Sequence, residues 1–208
     1  PGDIEKYADR YREGWDRLRQ TRLERMKQLG LFSAQIELPR RESEAKAWER
    51  LSRSERKEYA RKMAVYAAMV DRMDQNIGRL LAELQRQRQL EDTLIVFLSD
   101  NGAARSEGVP YTSGWDKSGP IGSPQSFTAY GHGWANASNT PLRRYKAELF
   151  EGGIASPLIA RYPTLISANT INRSVGHIMD LMPTCLELAH VSSNGTDTLA
   201  GQSLVPVF

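Results

Sequence analysis

The stretch Thr93-Leu94-Ile95-Val96-Phe97-Leu98-Ser99-Asp100-Asn101-Gly102 decides the reading of this chain. Six apolar or β-branched residues in succession predict a strand buried on both faces, the pattern of a parallel sheet. The run stops at two oxygen-bearing side chains and a glycine. In open α/β sheets the functional crevice lies beyond the carboxyl ends of the strands, where Asp100 and Asn101 fall. Neighbouring strand residues point to opposite faces. A turn at Gly102, free to take positive φ, brings both side chains toward one ligand. A carboxylate and an amide carbonyl are hard oxygen donors, suited to Ca2+ or Mg2+ and poorly suited to copper. The same three residues are also favoured in simple turns, and on this stretch alone both readings stand.

Immediately upstream, a long helix is predicted to open at Ser52-x-x-Glu55, a capping-box pattern. Its apolar stripe runs through Met63, Tyr66, Ala67, Val70, Met73, Ile77, Leu80, Leu81 and Leu84 at spacings of three and four, which reads as core packing. Asp71 and Asp74 lie on or beside that stripe. Capping, exposure, or pairing with Arg72 and Arg79 explains them better than a two-carboxylate site. Further back, a helix is predicted around Trp15, Leu18, Leu23, Met26 and Leu29, with Gly30 as its stop. A loop through Ile36-Glu37-Leu38-Pro39 follows.

Charge and composition exclude several classes. Residues 1–92 hold 21 of the 28 Lys and Arg and 17 of the 25 Asp and Glu, so the small positive excess is confined there. Basic and acidic residues interleave along 5–25 and 42–62, which fits solvated helical faces with i,i+4 pairs. Aromatic residues do not alternate with the basic ones, so a nucleic-acid partner is not expected. No apolar run approaches the ~20 residues of a membrane span, and none is expected. The 208 residues suffice for one domain with a buried core. One cysteine, Cys185, excludes an internal disulfide framework. Its apolar helical setting reads as that of a small buried hydrophobe.

Downstream of Gly102, a Gly/Pro/Ser-rich loop is predicted from Ala103 to about Gly133, long enough to shape a site entrance. A strand is predicted over 154–162, at an edge or bulge because of Pro157. A helix is predicted over 176–191 with Pro183 early in it, and a turn at Ser192-Ser193-Asn194-Gly195. Within this half stand Gly131-His132-Gly133-Trp134-Ala135-Asn136-Ala137-Ser138-Asn139-Thr140-Pro141 and Leu142-Arg143-Arg144-Tyr145-Lys146. Ala147-Glu148-Leu149-Phe150-Glu151-Gly152-Gly153 continues them. Together with Ser99-Asp100-Asn101-Gly102, these segments resemble the sulfatase family, in its arylsulfatase-like branch of the alkaline phosphatase superfamily. The run from Trp134 to Pro141, the lysine five residues after that proline and the Glu151-Gly152-Gly153 turn carry the resemblance. Residues 64–74, Met179-Asp180-Leu181-Met182-Pro183-Thr184 and Gly201-Gln202-Ser203-Leu204 extend it over essentially the whole chain.

The resemblance implies an α/β fold: an alkaline-phosphatase-like sandwich of a mixed, mainly parallel sheet flanked by helices, here lacking its N-terminal strands. Residues 1–92 correspond to a helical segment and insertion. Residues 93–208 correspond to the metal-binding strand, the active-site loop and the remaining sheet and helix of the same domain. Asp100 and Asn101 match the family's second pair of metal ligands, with Ca2+ implied and Mg2+ possible. Lys146 matches the family lysine that contacts the sulfate group and assists the leaving oxygen. The implied reaction is metal-assisted cleavage of a small-molecule or carbohydrate sulfate ester by a formylglycine nucleophile. The family's C-x-P-x-R signature, whose cysteine or serine becomes formylglycine, is not present in these residues. It is expected in an N-terminal part, and the chain as given is expected not to turn over by itself. Periplasmic, secreted and cytoplasmic locations all remain open.

His132, in its glycine-flanked loop, is a candidate substrate contact because its pKa range suits proton transfer. Asn136, Ser138 and Asn139 are candidates for hydrogen-bonding the loop that holds Lys146. Arg143, Arg144 and Arg161 could meet an anion, but nothing in the sequence aims them at one. His177 and His190 read as local hydrogen-bonding or solvent-facing residues. Two other functions are compatible with the chain. One is a phosphodiesterase or phosphonate monoester hydrolase of the same superfamily, the other a non-catalytic helical interaction module built on residues 1–92.

Overall fold

The cap at Ser52 forms as its sequence predicts. The Ser52 backbone N–H donates to Glu55 Oε2 (2.7 Å) and the Glu55 N–H donates to Ser52 Oγ (3.2 Å), satisfying two donors that a helix start leaves orphaned. A computed structural model describes residues 2–106, 119–191 and 199–208. Much of the long loop after Ala103 and the turn expected at Ser192–Gly195 lie outside the described residues. In chain order the elements are α1 (Gly2–Glu5), α2 (Gly14–Gln28), α3 (Arg53–Arg86), β1 (Ile95–Leu98), α4 (Gly131–Ser138), α5 (Glu151–Ile154), β2 (Leu158–Arg161) and α6 (Leu181–Leu188). They form two compact units, one of Pro1–Glu83 with Asn101–Pro157, the other of Leu84–Asp100 with Leu158–Phe208.

The first unit is organised by aromatic rings. Trp15 from α2 packs edge-on against Trp48 (centroids 4.7 Å apart) and Trp134 of α4 (5.4 Å), and Tyr11 meets Trp134 at 5.5 Å. Such edge contacts suit ring quadrupoles. The indole N–H of Trp15 donates to Lys46 O and that of Trp134 to Tyr59 O, both at 2.9 Å. A side chain at Gly133 would put its Cβ 2.3 Å from the Trp15 ring, so only glycine lets α4 approach this closely. The helix α2 stops where predicted. Gly30, at φ +69°, donates to Lys27 O while Leu31 N–H donates to Met26 O, the paired bonds of a Schellman cap.

Two expectations for this unit are corrected. Of the apolar stripe of α3 only Met63 is buried, next to Ala60, Ala64 and Ala68 outside the stripe, whereas Tyr66, Val70, Met73 and Leu80 are exposed. Periodicity marks which face is apolar but not how far along it a neighbour extends. The stretch read as loop up to Gly133 ends earlier, in α4, whose small residues Ala135 and Ala137 are fully buried. Asp71 accepts from Lys6 Nζ (2.6 Å), Tyr7 OH (3.0 Å) and Gln75 Nε2 (3.0 Å). It therefore ties the N-terminal segment to α3, and Arg72 pairs instead with Asp3.

In the second unit β1 and β2 pair antiparallel, Ile95 opposite Arg161 and Leu98 opposite Leu158. This differs from the expected strand buried on both faces in a parallel sheet, since Phe97 is 44% exposed. An unbroken apolar run sets strand character; it carries no information on the direction of the partner or on what lies over each face. Residues 154–157 are not strand; β2 begins only after Pro157, which cannot donate to a ladder. Arg161 is structural, donating to Leu90 O (2.8 Å) and Glu91 Oε1 (2.7 Å). The helix start at His177 is a reciprocal cap: His177 Nδ1 accepts from Met179 N–H and Asp180 Oδ2 accepts from His177 N–H. His190, at φ +55°, closes α6. Cys185 is exposed, not the buried hydrophobe expected, because its face of α6 has no covering element among the described residues.

Candidate active site

Three backbone segments are knotted together around Lys146. Gly102 N–H donates to Gly153 O (2.9 Å), Lys146 N–H to Ala103 O (3.1 Å) and Gly152 N–H to Arg143 O (2.7 Å). The approach is too close for side chains. A Cβ on Gly102 would lie 1.8 Å from Gly152 O, one on Gly152 2.2 Å from Arg143 O, and one on Gly153 2.2 Å from Glu148 O. The glycines of Asp-Asn-Gly and Glu-Gly-Gly are therefore explained by contact between backbones. Arg144 and Ala147, on either side of Tyr145-Lys146, both have positive φ (69° and 73°). That conformation is costly for residues with a Cβ and persists where surroundings over-determine it.

Asn139 is the pin of this knot. Its Oδ1 accepts from Ala103 N–H (2.8 Å) and its Nδ2 donates to Arg144 O (2.9 Å). One amide thus joins the chain leaving Asn101 to the chain entering Lys146. Asn139 follows directly on α4, whose Trp134 enters the aromatic core, so little more than one turn of helix joins the loop to the core. Of the three candidate loop-fixing residues only Asn139 holds the loop. Asn136 is buried, and Ser138 bonds the Tyr130 hydroxyl.

Lys146 is exposed, and its ammonium has no ion pair among the described residues. Tyr145 beside it is fully buried. Burial, reinforced by Glu42 and Glu44, pushes the Tyr145 phenol above its ordinary range. The His132 ring, on α4, lies edge-on to Tyr145 with centroids 5.9 Å apart, which brings it to the flank of the lysine loop. Asp100 is exposed and belongs to the unit that contains β1, whereas Asn101 belongs to the other unit. Asn101 Nδ2 donates to Gly102 O (3.0 Å), inside its own turn. Among the described residues no three His, Cys, Asp or Glu side chains come together as a metal cluster. The donor chemistry of Asp100 and Asn101 suits a hard cation, but two ligands are fewer than the six to eight that Ca2+ takes.

Sequence reasoning missed the carboxylates that hold the loop. Glu42 is 5% exposed and lies between Arg143 and Arg144, each Nε 3.5 Å from one of its oxygens. It also accepts from Arg144 N–H (3.2 Å). Glu148 pairs with Arg105 and stands 3.7 Å from Arg144. No spacing signal connects residue 42 to residue 144, so only the folded chain reveals this contact.

The family model described as Sulfatase matches residues 3–191. The chain belongs to the sulfatase family. An uncharacterized sulfatase of Schizosaccharomyces pombe is 42% identical over 202 residues, covering 92% of this chain and 36% of that protein. An arylsulfatase of Klebsiella aerogenes is 34% identical over 212 residues, covering 98% of this chain and 45% of that protein. The chain therefore spans less than half the length of either relative. A solved structure in complex with its substrate D-glucosamine-2-N,6-O-disulfate is 28% identical with a TM-score of 0.50, over 76% of this chain and 25% of that one. A second, Ps i-CgsB with a neocarrahexaose, is 20% identical with a TM-score of 0.50, over 93% of this chain and 38% of that one; that likeness concerns the fold alone. Among the described residues no helix is long and apolar enough to cross a membrane.

Proposed function

We propose that this chain supplies the cation-binding and leaving-group side of an arylsulfatase-like active site within an alkaline-phosphatase-like sandwich. The observation that supports the reading is Lys146: an exposed ammonium without an ion pair among the described residues, on a loop that the Asn139 amide and three glycines lock beside the Asn101-Gly102 turn. A lysine held only for solubility needs no such fixation.

Asp100 and Asn101 hold the divalent cation, Ca2+ or Mg2+, as two of its oxygen ligands, with further ligands from elsewhere. When bound, the cation polarises the sulfate oxygens, and formylglycine supplies the nucleophile. What the chain's own residues do follows from charge. The Lys146 ammonium lies where an anionic ester is to be held, and its three N–H donors bind sulfate oxygens. As the ester bond breaks, negative charge grows on the leaving oxygen; a preorganised ammonium stabilises that charge and donates a proton to it. The buried Tyr145 and the ion-paired Glu42 fix the backbone on the preceding side, so the lysine stem starts from a fixed point. His132 contacts the substrate from the flank of the loop.

The substrate class is a sulfate ester on an aryl or sugar alcohol. Support for a sugar comes from the N-acetylgalactosamine-6-sulfatase of dog, 32% identical over 141 residues covering 68% of this chain and 22% of that protein, and from the disulfated glucosamine complex. The test is a comparison of p-nitrophenyl sulfate, phosphate and phenylphosphonate hydrolysis by the natural protein that carries this sequence. Sulfate release faster than either phosphoryl reaction is expected. Faster phosphate or phosphonate cleavage would contradict the sulfatase reading and favour the phosphoryl one.

A further inference from the structure

A cavity of about 420 Å3 lies between residues 39–43 and the Arg143-Arg144 pair, within the size range of small-ligand pockets. Its walls carry four guanidinium groups, Arg40, Arg41, Arg143 and Arg144, against one carboxylate, Glu42. Two of the four are committed. Arg41 binds Asp16 (2.8 Å) and Ala45 O (2.7 Å). Arg144 is surrounded by Glu42, Glu44 and Glu148. The other two keep most of their donors. Arg143 is 54% exposed and meets Glu42 through Nε alone, at 3.5 Å. Arg40 is exposed, with no partner among the described residues.

Each guanidinium presents a planar fork of donors that matches an oxyanion bidentately. Glu42 cannot satisfy that capacity, because its oxygens already serve Arg143, Arg144 and the Arg144 N–H. Arg143 also stands three residues before Lys146, so their backbones are at most roughly 11 Å apart. Their side chains therefore start from neighbouring points of one loop.

We propose that this cavity is a second anion subsite, in which Arg40 and Arg143 bind a second sulfate group of a saccharide whose first sulfate ester meets Lys146. The proposal rests on the sulfatase reading of Lys146 and names the substrate class of that site: sugars sulfated at two positions. Glu42 is then a positioning residue that holds Arg143 at the cavity wall.

The test compares kcat/KM for D-glucosamine-2-N,6-O-disulfate, the substrate of the solved relative, with that for D-glucosamine-6-O-sulfate, in the natural protein and its Arg40→Gln and Arg143→Gln variants. One charge-assisted fork is worth about tenfold or more, so the preference for the disulfated sugar should fall about tenfold in each variant. Arg143→Lys keeps the charge without the fork and should restore only part of that preference. An unchanged preference in both glutamine variants overturns the subsite. If the natural protein releases sulfate from neither sugar, the sugar-sulfate reading of the Lys146 site has failed separately, and calorimetric binding of the disulfated sugar then decides the subsite. Binding weakened about tenfold by Arg143→Gln, in a variant with an unaltered melt, sustains the subsite; unaltered binding overturns it.

Discussion

At the scale of single residues, the site is built on atoms that are not there. Gly102, Gly152 and Gly153 let three backbones touch, and a methyl group at any of them would sit within 2.2 Å of a carbonyl oxygen. Gly152→Ala is expected to cost on the order of 4 kcal/mol. Gly78, with open space around its Cβ position on the exposed side of α3, gives the opposite sign: Gly78→Ala should stabilise by about 1 kcal/mol. Chemical denaturation of both variants checks the contrast, and a destabilising Gly78→Ala would refute the helix reading there. Asn139→Ala strands the Ala103 N–H and the Arg144 carbonyl, and should cost about 2 kcal/mol. The Asp-Asn-Gly and Glu-Gly-Gly motifs were legible in the sequence as turns and motif residues. Their close approach to one another was not, since nothing local in either segment encodes the other. The Glu42 contact with Arg143 and Arg144 was equally hidden, because an ion pair across a hundred residues leaves no periodic trace.

At the scale of elements, the caps read at Ser52 and Gly30 form as local sequence states, whereas the reciprocal cap of His177 and Asp180, just before α6, was read only as local hydrogen bonding. What local sequence cannot state is the partner of a face. The α3 stripe and the β1 run are apolar as read, yet their covering is incomplete, as Leu80 at 60% and Phe97 at 44% exposure show. The tie between α3 and the N-terminal segment is pH-dependent. Hydrogen bonds from Lys6, then Gln75 and Tyr7, hold the Asp71 carboxyl down to about 2, against an ordinary 3.8. A lowered acid pKa stabilises the fold above the ordinary value and loses that contribution as pH falls through the folded one. The window is therefore from about pH 4 down to about pH 2. Tryptophan fluorescence during acid titration should show the natural protein losing stability across it, and Asp71→Asn should flatten that loss. An unchanged acid limb in Asp71→Asn would remove Asp71 from the account.

At the scale of the whole molecule, burial is divided unequally. Among the described residues, all the buried apolar ones belong to the unit built from Pro1–Glu83 and Asn101–Pro157. The other unit, among its described residues, buries only Thr184. Without an apolar core to oppose conformational entropy, that unit should open at low free energy. In the 208-residue chain, amide hydrogens of β1 and β2 are expected to exchange before those of α2 and the first half of α3. A single cooperative melt with uniform protection would contradict this division. The family-level outline was legible because motif residues sit close in sequence, whereas the unequal core depends on contacts that composition averages away. The central claim, that the knot around Asn139 exists to present Lys146 to a sulfate ester, is tested most directly by one comparison. It sets kcat/KM for p-nitrophenyl sulfate against melting temperature, in the natural protein and in Lys146→Ala. The account predicts a fall of about a hundredfold or more in kcat/KM with the melting temperature unchanged. Activity retained in Lys146→Ala, or lost only in step with the melt, would contradict it.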